Sequence, residues 1–167
     1  AQNVPKIIEN KPLRAKKQSF QTNLVFISRI SPKKNLLYAV KVLKGIRLKG
    51  TINFDVIGPI EDKSYWEKIQ EEIIDLPTNI DFRYLGEVRN QELLKKTSDY
   101  HYLFFPTLAE NYGHIIYESL SYGMPVILSE STPWKQSNNG VFVCQLDNIK
   151  SFQEVIVRLH SLNEDEY

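Results

Sequence analysis

Two glutamates, Glu110 and Glu118, stand either side of a seven-residue stretch containing a glycine and a histidine, within "FFPTLAENYGHIIYESLSYGMPVILS" (Phe104 to Ser129). Carboxylates accept hydrogen bonds in pairs, so two of them near one glycine-opened helix suit the vicinal hydroxyls of sugars or ribose. A second group lies far upstream in "SRISPKKN", where Arg29 follows an apolar run and Ser31-Pro32 can open a helix. That reading puts Lys33 and Lys34 in a first helical turn, where cations oppose the helix dipole at about 0.3–1 kcal/mol each. A bound anion removes that cost. Gly113 lets the backbone approach a ligand closely, and the helix after it offers free N–H groups. Arginine, lysine and an amide-rich helix start together make a phosphate or diphosphate site. The plainer alternative is that Arg29 and Lys34 solvate a loop, Glu118 solvates a helix, and His114 begins that helix without chemical work.

Positioning these groups requires a frame. Apolar runs of strand length occur at Leu24 to Ser28, Ile52 to Gly58, Ile80 to Gly86, His101 to Pro106, Pro125 to Ser129 and Gly140 to Gln145. Between and after them lie "KNLLYAVKVLKGI", "KSYWEKIQEEIIDL", "NQELLKKTS", "GHIIYESLSY" and "IKSFQEVIVRLHSL", each with apolar residues spaced for one helix face. Alternating strand and helix implies a parallel sheet with right-handed crossovers. Several strands are apolar at nearly every position, as burial on both sheet faces demands. The expected fold is a doubly wound, Rossmann-like α/β sheet with helices on both faces. Ligands of such sheets bind beyond the carboxyl ends of the strands. The residues just after each strand are then the candidates: Arg29, Gly58-Pro59, Gly86 to Val88, and the stretch from Pro106 to His114. Residues 1–22 lack this pattern and are expected to form a connector or arm, with the domain spanning 23–167. The closing "SLNEDEY" has no stop signal beyond acidity, so the chain is expected to be an excised piece.

Composition narrows the function. The 167 residues, 42% hydrophobic, suffice for one sizeable core. The formal charge of +1 comes from 21 basic and 20 acidic residues mixed along the chain, which argues against nucleic acid as a partner. Cys144, in "VFVC", is expected to be a small buried hydrophobe, in keeping with a reducing compartment. The longest apolar runs fall far short of a membrane span and the beginning has no signal region, so a soluble, cytoplasmic protein is expected. No cluster of His, Cys, Asp and Glu has metal-ligand spacing. His101, His160, Tyr65 and Trp66 are assigned to structure and packing.

The ordered series "FISRISPKKN", "FDVIGP", "FRYLGEV" and "ELLKKTSDYHYLFFPTLAENYGHIIYESLSYGMPVILS" resembles the carboxyl-terminal, donor-binding domain of retaining GT-B glycosyltransferases of family 4, the glycosyl transferases group 1. The resemblance runs from about Leu24 to Leu162. It implies that Arg29 and Lys34 neutralise the diphosphate of a nucleotide-sugar donor, UDP- or GDP-linked. Glu110 would face the transferred sugar and Glu118 the ribose hydroxyls. Tyr112, Gly113 and His114 would present backbone amides, and the loop from Gly86 to Val88 would lie beside the base. It also implies a metal-independent reaction without cofactor, an amino-terminal acceptor-binding domain outside this chain, and peripheral membrane contact through that domain. The acceptor could be a glycan, a lipid-linked sugar or a small molecule, and polysaccharide biosynthesis is the expected setting. The chain alone is expected to be inactive. It departs from the family pattern at Ser28 for glycine, Tyr112 for phenylalanine, and "SESTPWKQ" for a proline-glutamate turn. A non-catalytic nucleotide-binding or regulatory module of the same fold stays open as an alternative. A pure interaction domain fits less well, since it would need none of Arg29, Lys34, Glu110 and Glu118.

Overall fold

The computed structural model describes residues 14–89 and 96–167. Strands β1 (Gln21–Ile27), β2 (Thr51–Ile57), β3 (Ile80–Gly86), β4 (Tyr102–Phe105), β5 (Val126–Ser129) and β6 (Val141–Cys144) form one sheet, and every pairing is parallel. Helices α1 (Leu36–Lys44), α2 (Lys63–Ile73), α3 (His114–Ser121) and α4 (Ile149–Ser161) flank it. The spatial order β3-β2-β1-β4-β5-β6 is that of a doubly wound Rossmann-like sheet. The chain builds outward from β1 to β3, then returns to lay β4 against the other side of β1. α1 packs against both α2 and α4 in one layer. Right-handed crossover places α3, which joins β4 to β5 in the opposite direction, on the other face. The expected helix "NQELLKKTS" falls mostly outside the described residues; its tail forms a 3-10 turn, Thr97–Asp99.

Inner strands are apolar because both their faces are covered. β4 and β5 are buried at every residue, and β1 from Leu24 onward. Phe54 of β2 meets Phe82 on the adjacent β3 and Phe104 of β4, two strands away, at ring-centroid distances of 5.8 and 5.9 Å. Phe104 in turn meets Phe152 of α4 at 6.0 Å. At the sheet edge the rule relaxes: β3 exposes Asp81, Arg83, Tyr84 and Leu85. Its Arg83 grips the buried carboxylate of Asp55 through two hydrogen bonds of 2.7 and 2.9 Å, and the Tyr100 hydroxyl donates to the same carboxylate at 2.7 Å. Tyr65 and Trp66 pack as expected. The Tyr65 hydroxyl accepts the Leu37 amide at 2.9 Å, and Trp66 lies against Tyr84 at 4.8 Å. Cys144 is buried and free, its thiol pushed up to about 11 by burial.

The amino-end edge of the sheet is closed by two buried histidines. The Asn23 amide donates to Nδ1 of His101 at 2.8 Å, so the proton sits on Nε2, which reaches Lys16 O at 2.9 Å. His160 has the same tautomer, with Nε2 2.7 Å from Lys49 O and Nδ1 accepting from the Thr22 hydroxyl at 2.8 Å. Burial holds both imidazoles below the ordinary 6.5. Beside them the buried Lys17 ammonium donates to the carbonyls of Gln18, His160 and Leu162, and burial lowers it to about 8.

One expectation is corrected at the opposite edge. Ser31-Pro32 does not open α1. Pro32–Lys34 forms a separate 3-10 turn that ends at Asn35, which is left-handed at φ 63°, and α1 begins only at Leu36. The cause lies far away in sequence: the Asn35 side chain donates to Pro106 O at 2.9 Å, tying the turn to the exit of β4. Lys33 and Lys34 therefore stand ahead of α1, and neither opposes its dipole from a first turn.

Candidate donor-binding site

The strand order reverses between β1 and β4, so the crevice outside their carboxyl ends is where this fold takes ligands. Two loops meet there, residues 28–35 after β1 and 106–113 after β4. Buried polar contacts bind them together. The Leu108 amide donates to Lys33 O at 2.9 Å, and the Thr107 hydroxyl lies 3.1 Å from Lys33 O and 3.0 Å from Ala109 O. Ser129, ending β5, donates its hydroxyl to Thr107 O. Thr107 and Ser129 are fully buried. On the β2 side, Gly58 has φ +140°, and a Cβ there would come 2.0 Å from Ser28 O. That close approach holds the exits of β1 and β2 together, and the Ile30 and Glu61 amides extend the contact by donating hydrogen bonds to Pro59 O and Ile30 O.

This clamp joins two of the expected residues across 76 positions. The Lys34 ammonium lies 2.7 Å from Oε2 of Glu110, with the two side chains only 14% and 18% exposed, and sits above the Phe105 ring at 5.5 Å. Oε1 of Glu110 accepts the amides of Asn111 at 3.1 Å and Gly113 at 3.2 Å. Burial alone would raise the Glu110 carboxyl, but Lys34 and the amides outweigh it and hold it below its ordinary 4.5. Gly113, at φ +71°, opens α3; a Cβ there would lie 2.7 Å from Cδ1 of Ile116 and 3.3 Å from the Trp134 indole nitrogen. The Gly113 amide, expected to face a ligand, donates to Glu110 in this structure. The next two N–H groups, of His114 and Ile115, have no acceptor among the described residues, since the helix bonds begin with Ile116 and Tyr117 donating to Gly113 O.

The other expected residues spread along the same edge. Arg29 pairs with Glu61 at 2.6 Å in solvent, apart from the Lys34–Glu110 pair. Glu118 projects from α3 one turn beyond His114 and is exposed. Partial burial raises its carboxyl and His114 opposes the rise. The Tyr112 ring is 66% exposed and rests against His114 at 5.1 Å. Gly86 ends β3 at φ +74° with open space where a Cβ would be, and its carbonyl accepts the Gly58 amide at 2.8 Å. Val88 is half-buried against the core. Sequence reasoning missed Glu61, Thr107 and Ser129. Thr107 and Ser129 each carry a signal, a hydroxyl placed where an apolar strand ends; Glu61 carries none, because its partner lies in a different loop. Among the described residues there is no group of three or more His, Cys, Asp or Glu able to hold a metal, and no helix long and apolar enough to cross a membrane.

The fold and this edge define a Rossmann-like domain with a polar crevice at its topological switch point. The chain belongs to the glycosyl transferases group 1 family, whose model matches residues 8–166. No curated protein matches it in sequence. Among solved structures it is similar to Anabaena Alr3699/HepE in complex with UDP and glucose, at a TM-score of 0.71 and 16% identity, covering 83% of this chain and 38% of that one. It is likewise similar to the lipopolysaccharide outer core galactosyltransferase WaaB, apo form (TM-score 0.68, 18% identity, 90% of this chain and 45% of that one). A third similar structure is the C-terminal domain of LpcC, a glycosyl transferase group 1 family protein from Francisella tularensis (0.69, 13%, 84% and 76%). The chain thus spans less than half the length of HepE and WaaB. At these identities the likeness shows the fold.

Proposed function

We propose that this domain binds the nucleotide-sugar donor of a retaining glycosyltransferase of family 4, with a UDP- or GDP-linked sugar as substrate. The observation that carries the reading is the Lys34–Glu110 pair at 2.7 Å, set beside the first amides of α3, which have no acceptor among the described residues. Lys34, with Arg29 at the exit of β1, balances the diphosphate. Glu110 faces the transferred sugar, Glu118 the ribose, and the loop from Gly86 to Val88 the base. Electrostatic stabilisation of the departing nucleoside diphosphate carries much of such a transfer. In this reading the acceptor, whether glycan, lipid-linked sugar or small molecule, is held largely by an amino-terminal domain outside the chain. HepE, whose structure holds UDP and glucose, supports UDP as the first nucleotide to try.

Calorimetric titration with UDP, GDP and UDP-glucose tests it. Lys34→Ala is expected to weaken diphosphate binding, and binding is expected to fall with salt because Arg29 is largely exposed. Glu118→Gln should weaken UDP itself, by about 1.5–3 kcal/mol if a charge-assisted bond is lost. Glu110→Gln should leave UDP nearly unchanged and remove the extra affinity contributed by glucose. Identical loss profiles for the two glutamate variants would show their roles wrongly divided.

A further inference from the structure

Beside Glu110 the surface forms an open groove of about 470 Å3 between the start of α3 and the loop that follows β5. Its walls are Asn111, Tyr112, Tyr117, Pro133, Trp134 and Lys135. Tyr112 is 66% and Tyr117 42% exposed, an unusual outlay of large rings on a soluble surface. The wall is built: the Trp134 indole donates to Tyr112 O at 3.2 Å, which fixes one ring against the backbone carrying the other. Trp134 belongs to "SESTPWKQ", the loop where this chain departs from the proline-glutamate turn of its family.

The composition selects the occupant. Every aromatic ring in the groove carries a polar atom, and an amide and an ammonium stand with them. Among the described residues no leucine, isoleucine, valine or phenylalanine contributes, as a surface for acyl chains or an apolar helix would require. A pyranose has the complementary character, with apolar C–H faces that stack on aromatic rings and equatorial hydroxyls that take hydrogen bonds at the edge. The groove also adjoins the candidate site along the chain, since Asn111 and Tyr112, which line it, immediately follow Glu110, the carboxylate assigned to the transferred sugar. We infer that this groove binds pyranose units of a saccharide acceptor, so that acceptor choice is shared by this domain. The inference rests on the donor-binding reading for its meaning, but the groove can be tested apart from it.

Maltohexaose, cellohexaose and chitohexaose are titrated separately into the isotopically labelled chain while the two indole N–H resonances are followed. Trp66, packed against Phe82 and Tyr84, serves as the internal reference. At least one saccharide is expected to shift Trp134 and not Trp66, and Tyr117→Ala is expected to weaken that binding about fivefold, the scale of one lost ring contact. UDP affinity should be the same in Tyr117→Ala as in the parent. If none of the three saccharides moves Trp134, or if Tyr117→Ala binds them as well as the parent, the inference is overturned. It is equally overturned if Trp134 responds only to phosphatidylcholine or phosphatidylglycerol vesicles. Failure of UDP to bind the parent chain, with the saccharide response intact, would instead sink the donor reading and leave the groove standing.

Discussion

The two glutamates that bracket the start of α3 live in opposite electrostatic settings, and this separates what each should do to stability. Glu110 is held below its ordinary 4.5 by Lys34 and two amides despite its burial. A carboxyl with a depressed folded value contributes stability that is present above 4.5 and is lost as pH falls through the folded value. Thermal melting followed from neutral pH downwards should therefore show a steeper acid limb in the parent than in Glu110→Gln. Glu118 has the reverse sign, because its folded value is raised by partial burial. Its ionised form costs stability once the pH exceeds that raised value, so Glu118→Gln is expected to melt at the same temperature or slightly higher at pH above neutrality while binding UDP less well. A lower melting temperature for Glu118→Gln would mean that the carboxylate has a structural partner. A group kept at a cost in stability is the pattern of a binding residue.

At the scale of elements, the start of α3 depends on Gly113. Its left-handed backbone and the 2.7 Å approach of a Cβ to Ile116 both oppose any side chain. Gly113→Ala is expected to cost about 1–3 kcal/mol in denaturant unfolding and to shift the neighbouring Trp134 indole resonance. All six strands and the four described helices were legible in the sequence because each is a bounded apolar run or a clean helical period. Glu110 and Lys34 could be named as site candidates for a related reason, since they follow strands whose ends the sequence marks, whereas Glu118, inside α3, was named as the second acid of a spaced pair. What stayed hidden was set by partners distant in the chain. The break between Lys34 and α1 hangs on an Asn35 contact to Pro106, 71 residues on. The exposure of β3 follows from its edge position, which no local pattern encodes. The capture of the Gly113 amide by Glu110 depends on how tightly the loop 106–113 is drawn in by Thr107 and Ser129.

For the whole molecule, the donor-binding proposal makes the sheet one wall of a cleft. The chain covers 38% of HepE and 45% of WaaB. We expect residues 1–167 to fold and bind nucleotide without transferring sugar, which a radiolabelled-donor assay against the saccharides above would check; turnover by the chain alone would show that it carries a complete active site.

The two histidines at the amino-end edge have a consequence for how the molecule comes apart. Each uses Nδ1 as an acceptor, from the Asn23 amide in one case and the Thr22 hydroxyl in the other, so a second proton on His101 must displace the Asn23 bond to β1, and one on His160 must turn the Thr22 hydroxyl from donor to acceptor. Their folded values lie below 6.5, so the stability they contribute is present above 6.5 and drains away as pH falls beneath it. The Lys34–Glu110 clamp at the other edge loses its charge only below 4.5. Between those two limits the sheet has a weak end and a strong end. Hydrogen exchange at pH 5 should then show amides near Thr22, Asn23 and Thr51 opening ahead of those at Leu108 and Gly113, and simultaneous opening would show the two edges to be one cooperative unit. Acid would unseat the strands from the end remote from the crevice, leaving the crevice edge as the last ordered part of the domain.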